Sequence, residues 1–171
     1  PEEQKARFET AGEDRTSRQR ILYWTNGYEM MKERPLLGVG FYLFPAYYND
    51  NYSHDLLYPR AQLPHNIFVQ VGADLGFTGL GCYLVLIASP LIMGRKIRKR
   101  LPQDSFGFAM SKGLDIGFIG FLIAGQFVSV VYYPFMWIYL ALVVATKKIY
   151  LDSDAALLRE NADEDKAISA T

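Results

Sequence analysis

The stretch LGFTGLGCYLVLIASPLIMG, residues 75–94, decides the fold of this chain. It carries no Asp, Glu, Lys or Arg, and its length matches the roughly 20 apolar residues that an α-helix needs to cross a bilayer. Its glycines would weaken a soluble helix, whereas small residues let membrane helices pack closely. We therefore predict a transmembrane helix here, in preference to the buried core helix of a soluble protein.

A basic run, RKIRKR at residues 95–100, follows the apolar stretch directly. Such clusters at the end of a span mark its cytoplasmic side. An anionic-lipid or nucleic-acid patch is the alternative, but the adjoining span disfavours it, and a net charge of zero gives no reason to expect a nucleic acid partner. The pattern predicts a basic cytoplasmic loop at residues 95–105 and places everything before residue 75 on the opposite face.

A second apolar region, residues 116–146, also has no charged residue. It is too long for one ordinary span and short for two. The tripeptide Tyr132-Tyr133-Pro134 interrupts it, and proline disfavours helix both at its own position and at the residue before it. We favour two spans, at residues 106–131 and 132–150, over a single kinked one.

The charges that flank these two spans agree with that arrangement. Lys112 and Asp115 then lie within the first of them, and Lys147 and Lys148 return to the cytoplasmic side as the positive-inside rule prefers. The remaining segment, residues 151–171, is acidic and rich in Ala, which is typical of a disordered tail. It contains a formal DxD at Asp152, but this composition does not favour a metal site, and we predict none.

Residues 1–64 form the part before the first span, and we predict a periplasmic loop there. Residues 1–16 are polar and predict a flexible lead-in. Ser17 is a plausible N-cap for a helix over about residues 17–34. Apolar residues then recur at spacings of three and four, which is typical of one helix face; they are Ile21, Trp24, Tyr28 and Met31.

The second half of this loop is less regular. Pro35 ends the predicted helix, and the glycines of LLGVG give a tight turn. Residues 41–63 are rich in Tyr, Asn and Pro and predict an irregular loop, suited to stacking on sugars or to lying on a membrane surface. At Pro64 a new helix is expected to begin on the periplasmic side, so that residues 65–94 comprise a periplasmic helix start and the first transmembrane helix.

The expected fold class is therefore all-α: a polytopic membrane protein fragment with a helical periplasmic loop followed by three transmembrane helices. The chain begins at Pro1 rather than Met, and a periplasmic segment needs an upstream span to deliver it. We expect this to be the C-terminal part of a longer protein, and the fragment alone to be inactive.

Two stretches carry a family resemblance: SRQRILYWTNGYEMMKERPLLGVGFYLF at residues 17–44, and PHNIFVQVGADLGFTGLGCYLVL at residues 64–86. In this order they resemble the O-antigen ligase and polymerase superfamily, over roughly residues 17–95. The family more often has Glu where this chain has Asp74. The residues that match the pattern are Arg20, Trp24, Pro35, Gly38, Gly40, His65, Asn66, Asp74, Gly76 and Gly79.

The resemblance implies a GT-C-type glycosyltransferase of a bacterial inner membrane that is metal-independent, inverting and free of cofactors. Its expected partners are an undecaprenyl-pyrophosphate-linked glycan donor, a lipid A–core or other glycan acceptor, and the lipid bilayer. An O-antigen ligase of lipopolysaccharide assembly is the favoured function. The alternatives are an O-antigen or exopolysaccharide polymerase, a protein O-oligosaccharyltransferase, and a non-catalytic transport or assembly partner on the same scaffold.

The resemblance also suggests the residues that carry the chemistry. Arg20 is expected to stabilise the departing pyrophosphate, because a guanidinium binds such an anion bidentately. His65 is expected to act as general base or to orient the acceptor, because its pKa lies near working pH. Weaker substrate-binding candidates are Arg18, Arg60, Asn66 and Trp24, although capping of the following helix is the favoured role of Asn66. His54 lies in the variable loop and serves as an internal control.

The basic run predicts a topology that reporter fusions can test. A fusion at Asn51 should be active only as a periplasmic reporter, and fusions at Gln103 and Asp154 only as cytoplasmic reporters. A periplasmic signal at Gln103 would refute the orientation, and one at Asp154 would refute only the three-span arrangement.

Overall fold

The computed structural model describes residues 14–152, and every regular element in that range is a helix. Five α-helices follow one another as α1 Arg15–Glu33, α2 Phe44–Asn51, α3 Ile67–Arg98, α4 Phe106–Ala124 and α5 Phe135–Lys147. A 3₁₀ turn, Ser53–Asp55, follows α2, and a π-helical turn, Lys148–Asp152, follows α5. The predicted all-α class is confirmed for these residues. The predicted flexible lead-in, up to residue 13, and the predicted tail beyond residue 152 lie outside them.

The chain divides into two compact units. The first comprises Pro1–Leu84 and Ile123–Tyr132, and the second comprises Val85–Leu122 and Tyr133–Thr171. Within residues 14–152, α3 and α4 are the two helices long and apolar enough to cross a membrane. Helix α5 has 13 residues, so a third crossing stays a prediction.

The first helix begins earlier than predicted. Asp14 is its N-cap, and the Asp14 carboxylate accepts a hydrogen bond from the Ser17 backbone N–H. The prediction that Ser17 caps the helix is therefore wrong, because Ser17 lies in the first turn and its N–H is one of the orphan donors that the cap satisfies.

The buried face of α1 does not coincide with the apolar face that the sequence pattern indicates. Its buried residues are Gln19, Tyr23, Asn26, Gly27, Met30 and Met31. Ile21 and Tyr28, two of the four residues on the predicted apolar face, are 54% and 52% exposed. Two polar side chains belong to the buried face because the loop that follows supplies their hydrogen-bond partners. The Gln19 side chain accepts from the Leu57 N–H, and Asn26 Nδ2 donates to Asp55 Oδ2 at 2.8 Å.

Residues 41–63 are more regular than predicted, since they contain α2 and the 3₁₀ turn. Two aromatic side chains of α2, Phe44 and Tyr48, are fully buried against α1. Tyr23 meets both edge-on, at centroid distances of 5.8 and 4.9 Å, a geometry that aromatic pairs favour. The Tyr23 hydroxyl accepts from the Gln62 N–H at 2.9 Å, so the loop is fastened to α1 along its length.

Helix α3 is broken at Gly76, whose φ of 72° lies in the positive region that favours glycine. The break frees backbone groups from the helical ladder, and the turn after α1 pairs with them. Phe77 N–H donates to the Pro35 carbonyl at 2.8 Å, and the N–H groups of residues 39 and 40 donate to the carbonyls of residues 73 and 74, each at 2.9 Å. The glycine turn and the broken helix therefore interlock.

Glycine is required on both sides of this interlock. Gly38 has φ 65°, and a Cβ there would lie 2.4 Å from the Asp74 carbonyl carbon. A Cβ on Gly76 would lie 2.6 Å from the Pro35 oxygen. Gly79 follows in α3, where a Cβ would meet the Leu75 side chain.

The Asp74 side chain extends the interlock. It is fully buried, and its carboxylate accepts from the N–H groups of Tyr42 and Phe44, each at 3.2 Å. The Tyr132 hydroxyl donates a third hydrogen bond at 2.8 Å. Three donors occupy most of the roughly four acceptor positions of a carboxylate, which explains how a buried acidic residue is tolerated here.

In the second unit, a partly buried ion pair accounts for the charge in α4. Arg98 Nη2 lies 2.8 Å from Asp115 Oδ2, and Arg98 Nη1 donates to the Ser111 hydroxyl at 3.0 Å. The Tyr139 hydroxyl of α5 donates to Asp115 Oδ1 at 2.9 Å. Asp115 is therefore neutralised and hydrogen-bonded within an apolar helix, as intramembrane charges usually are.

The interlock predicts the effect of Gly38→Ala. The added methyl group meets the α3 backbone in a left-handed conformation, so the substitution should cost at least 2 kcal/mol of stability, on the order expected for core overpacking plus backbone strain. Thermal unfolding of the purified protein in detergent measures the loss. Leu37→Ala is the matched control, because Leu37 lies in the same turn and is 82% exposed. Equal stability of the two variants would contradict the interlock.

Candidate functional site

His65 lies in the first unit, in the connection that leads into α3. Its φ of 51° is unusual for a residue other than glycine, and such strain persists only where the surroundings hold it. The side chain is partly exposed, and its Nδ1 lies 3.2 Å from the Ser129 hydroxyl. Burial, and secondly the charge of Arg20, lower the pKa of His65. The lowered pKa favours the neutral imidazole, which is the form able to accept a proton.

Asn66 caps α3. Its Oδ1 accepts from the N–H groups of Phe68 and Val69, at 3.0 and 3.1 Å, so the capping expected for this residue is confirmed. The helix begins at Ile67 and not at Pro64 as predicted, because the side-chain cap sets the boundary. Asn66 Nδ2 also donates to Gln126 Oε1 at 3.0 Å.

Residues 125–132 run along this first part of α3, and we name them the return segment. The Gly125 carbonyl accepts from the Ile67 N–H at 2.9 Å. Further along, the segment supplies Gln126 to Asn66, Ser129 to His65 and Tyr132 to Asp74. Sequence reasoning assigned these residues to spans and missed their part in the site. The available signal was the presence of Gln126 and Ser129 in an otherwise apolar region.

Helix α1 places Arg20 and Trp24 on the same side of this region, since residues four apart lie on one helix face. Trp24 Nε1 donates to the Pro64 carbonyl at 2.8 Å, directly before His65 in the chain. Arg20 is half-buried, and its Nε has no hydrogen-bond partner within residues 14–152. Trp24 thus holds the His65 loop against α1. The positive charge of Arg20 lowers the pKa of His65.

The other predicted residues are placed differently. Arg18 and Arg60 are exposed side chains, and their substrate-binding roles stay predictions, as do those of Asn66 and Trp24. His54 is exposed in the 3₁₀ turn, with Nε2 3.6 Å from Asp55 Oδ2. It differs from His65 in backbone conformation, exposure and partners.

Among residues 14–152 no three His, Cys, Asp or Glu side chains cluster in a way that would hold a metal ion. Asp152 pairs with Lys147 at 3.0 Å, and the rest of the formal DxD lies outside the described residues.

The site therefore combines a neutral imidazole with a nearby guanidinium, in a helical protein that has two apolar helices of membrane-spanning length. An imidazole can remove a proton from a hydroxyl, and a guanidinium can stabilise a developing anion. Such a pair suits a group transfer with an anionic leaving group, and the roles of Arg20 and His65 in one stay predictions.

Comparison with known proteins finds one family that matches part of the chain. The family model described as O-antigen ligase matches residues 2–84, a range that contains Arg20, Trp24, the interlocking glycines, His65 and Asn66. The match confirms the resemblance to the O-antigen ligase and polymerase superfamily, and residues 2–84 are a segment of this type. No curated protein and no solved structure matches the chain. The family and the two apolar helices together indicate a membrane protein with a glycosyltransferase-like function.

The cap geometry predicts distinct effects for two substitutions of Asn66. Asn66→Ala should lower stability by about 1 kcal/mol, because two N–H groups at the start of α3 lose their acceptor. Asn66→Asp keeps an acceptor at the cap and should lose less. Thermal unfolding in detergent compares both with Asn51→Ala, an exposed asparagine at the end of α2 that should have a small effect. A loss in Asn66→Asp as large as in Asn66→Ala would show that the Gln126 contact dominates.

Proposed function

We propose that this chain is part of an O-antigen ligase, which moves a glycan from undecaprenyl-pyrophosphate to lipid A–core on the periplasmic face of the inner membrane. The observation that carries the proposal is the O-antigen ligase match over residues 2–84, within which Arg20 and His65 lie close enough to interact electrostatically. The donor already carries a good leaving group, so the proposed reaction requires neither a metal ion nor a cofactor.

In the proposed reaction, the acceptor hydroxyl attacks the anomeric carbon of the donor sugar. The new glycosidic bond forms as the bond from that carbon to the pyrophosphate oxygen breaks, and the electron pair leaves with undecaprenyl-pyrophosphate. Attack from the side opposite the leaving group inverts the anomeric configuration. The proton of the acceptor hydroxyl passes to His65, which the lowered pKa supports because the imidazole is neutral before the reaction.

Arg20 is assigned to the leaving group. Negative charge develops on the pyrophosphate as the bond breaks, and a guanidinium stabilises it through charge-assisted hydrogen bonds. The Nε of Arg20 has donor capacity that no described residue uses. Lysine would keep the charge but lose the planar fork of donors.

The proposal predicts the behaviour of three variants of the full-length protein. His65→Ala should reduce transfer by about 10²–10⁴-fold, the usual contribution of a general base, and should leave donor binding unchanged. Arg20→Lys should weaken donor binding and transfer together. His54→Ala should be close to parent, because His54 is exposed in the 3₁₀ turn. Reconstituted transfer from lipid-linked glycan, with donor affinity measured separately, tests all three.

The same assay has a pH readout. The reaction needs neutral His65, whose pKa lies below its ordinary value of 6.5, so activity should fall only as the pH drops below that value. In the donor-free site, Arg20 is the charged group that lowers this pKa in addition to burial, so Arg20→Gln should move the acid limb of the residual kcat/KM for the donor toward higher pH. Parent turnover in His65→Ala would overturn the mechanism, and a parallel loss in His54→Ala would indicate a general failure of the loop.

An experiment in cells tests which acceptor receives the glycan. A strain that lacks the gene should lose the whole O-antigen ladder from its lipopolysaccharide if the protein is a ligase. A single repeat attached to core would instead identify a polymerase, which performs the same chemistry on a growing glycan.

A further inference from the structure

The contact between Ser129 and His65 bears on which imidazole nitrogen carries the proton. A neutral imidazole has one N–H donor and one acceptor nitrogen, and the bond made by one nitrogen decides the role of the other. Ser129 Oγ lies 3.2 Å from Nδ1. If Ser129 accepts from Nδ1–H, the lone pair of Nε2 is free to take a proton. If Ser129 donates, Nε2 carries a hydrogen and cannot act as a base.

His65 and Ser129 are each held in place by hydrogen bonds of the residues that precede and follow them in the chain. The carbonyl before His65 is bound by Trp24, and the residue after it caps α3. The return segment is fastened before Ser129 at Gly125 and Gln126, and after it by the Tyr132–Asp74 hydrogen bond. The hydroxyl therefore meets the imidazole from a fixed position and not from a mobile side chain on an open surface.

The proton balance distinguishes the two arrangements. With Ser129 as acceptor, Nδ1–H donates before the reaction and continues to donate when Nε2 gains a proton, so the contact survives the step unchanged. With Ser129 as donor, the hydroxyl would have to rotate and become the acceptor once the imidazole is doubly protonated, because both nitrogens are then donors. A neutral acceptor also adds no negative charge beside the ring, so it orients the imidazole without counteracting Arg20.

We propose that Ser129 is a positioning residue for His65, its Oγ accepting from Nδ1–H and so keeping the Nε2 lone pair available for the acceptor proton. The assignment rests on the proposed function of His65 as general base. It adds a residue far along the chain from the arginine and histidine that the family resemblance supplied, and outside the matched residues 2–84.

A direct test reads the tautomer without using activity. The full-length protein is labelled with ¹⁵N-histidine, and the His65 signals are assigned by their loss in His65→Asn. In the parent at neutral pH, Nδ1 should carry the hydrogen and Nε2 should show the shift of an unprotonated nitrogen. Ser129→Ala should move the population toward the opposite tautomer, while Ser129→Thr, which keeps the hydroxyl, should not. A parent in which Nε2 carries the hydrogen would overturn the proposal.

A kinetic test follows from the same geometry. Ser129→Ala should lower turnover about 10-fold, a part of the 10²–10⁴-fold attributed to a general base, with the KM for the lipid-linked donor unchanged. Ser129→Thr should recover most of this loss, and Ser53→Ala, an exposed serine of the 3₁₀ turn, is the control. Parent turnover in Ser129→Ala, or a loss that Thr does not rescue and that weakens donor binding, would overturn the positioning role.

The two tests separate this inference from the proposed function. If His65→Ala retains full transfer, the general-base assignment fails, while the tautomer measurement still shows whether Ser129 controls the imidazole. If His65→Ala is inactive and Ser129→Ala leaves both tautomer and turnover unchanged, the function stands and the Ser129 assignment fails.

Discussion

The exchange of backbone hydrogen bonds between broken α3 and the turn after α1 is the constraint on which the first unit depends. A buried N–H or carbonyl without a partner costs about as much as a lost hydrogen bond, so α3 cannot break at Gly76 unless another segment pairs with the freed groups. Residues 35–40 supply that pairing, and they can approach closely only because Gly38 and Gly76 lack a Cβ. The turn and the break therefore require each other.

Asp74 connects the interlocked turn and helix to the segments that form the candidate site. Its carboxylate binds the backbone that leads into α2 and, through Tyr132, one end of the return segment. The other end of that segment meets Ile67 and Asn66, roughly 12 Å away along two turns of α3. His65 lies at that end, held by α1 through Trp24 and by the Asn66 cap. The site is thus set by three segments whose mutual register the interlock fixes.

The sequence could predict those parts of the fold and of the candidate site that leave a pattern in neighbouring residues or match a family motif. Apolar length indicated α3, periodicity indicated α1, and the resemblance supplied Arg20 and His65. Periodicity did not reveal that Gln19 and Asn26 are buried, because these polar residues break the apolar period and their partners come from a loop whose path no local pattern indicates. The role of Ser129 was missed for a similar reason. Its contact with His65 joins residues 64 positions apart, and no pattern of residue spacing indicates such a contact.

The electrostatics of the site connect donor binding to the strength of the base in the proposed mechanism. Two effects lower the pKa of His65: burial, which is the larger, and the charge of Arg20. A bound pyrophosphate brings negative charge beside Arg20 and offsets its influence on the imidazole, and an opposite charge favours the protonated ring. Burial persists, but the imidazole becomes a stronger base once the donor is in place. His65 then gains proton affinity at the stage when the acceptor hydroxyl has to lose its proton, and a site without donor keeps the weaker base.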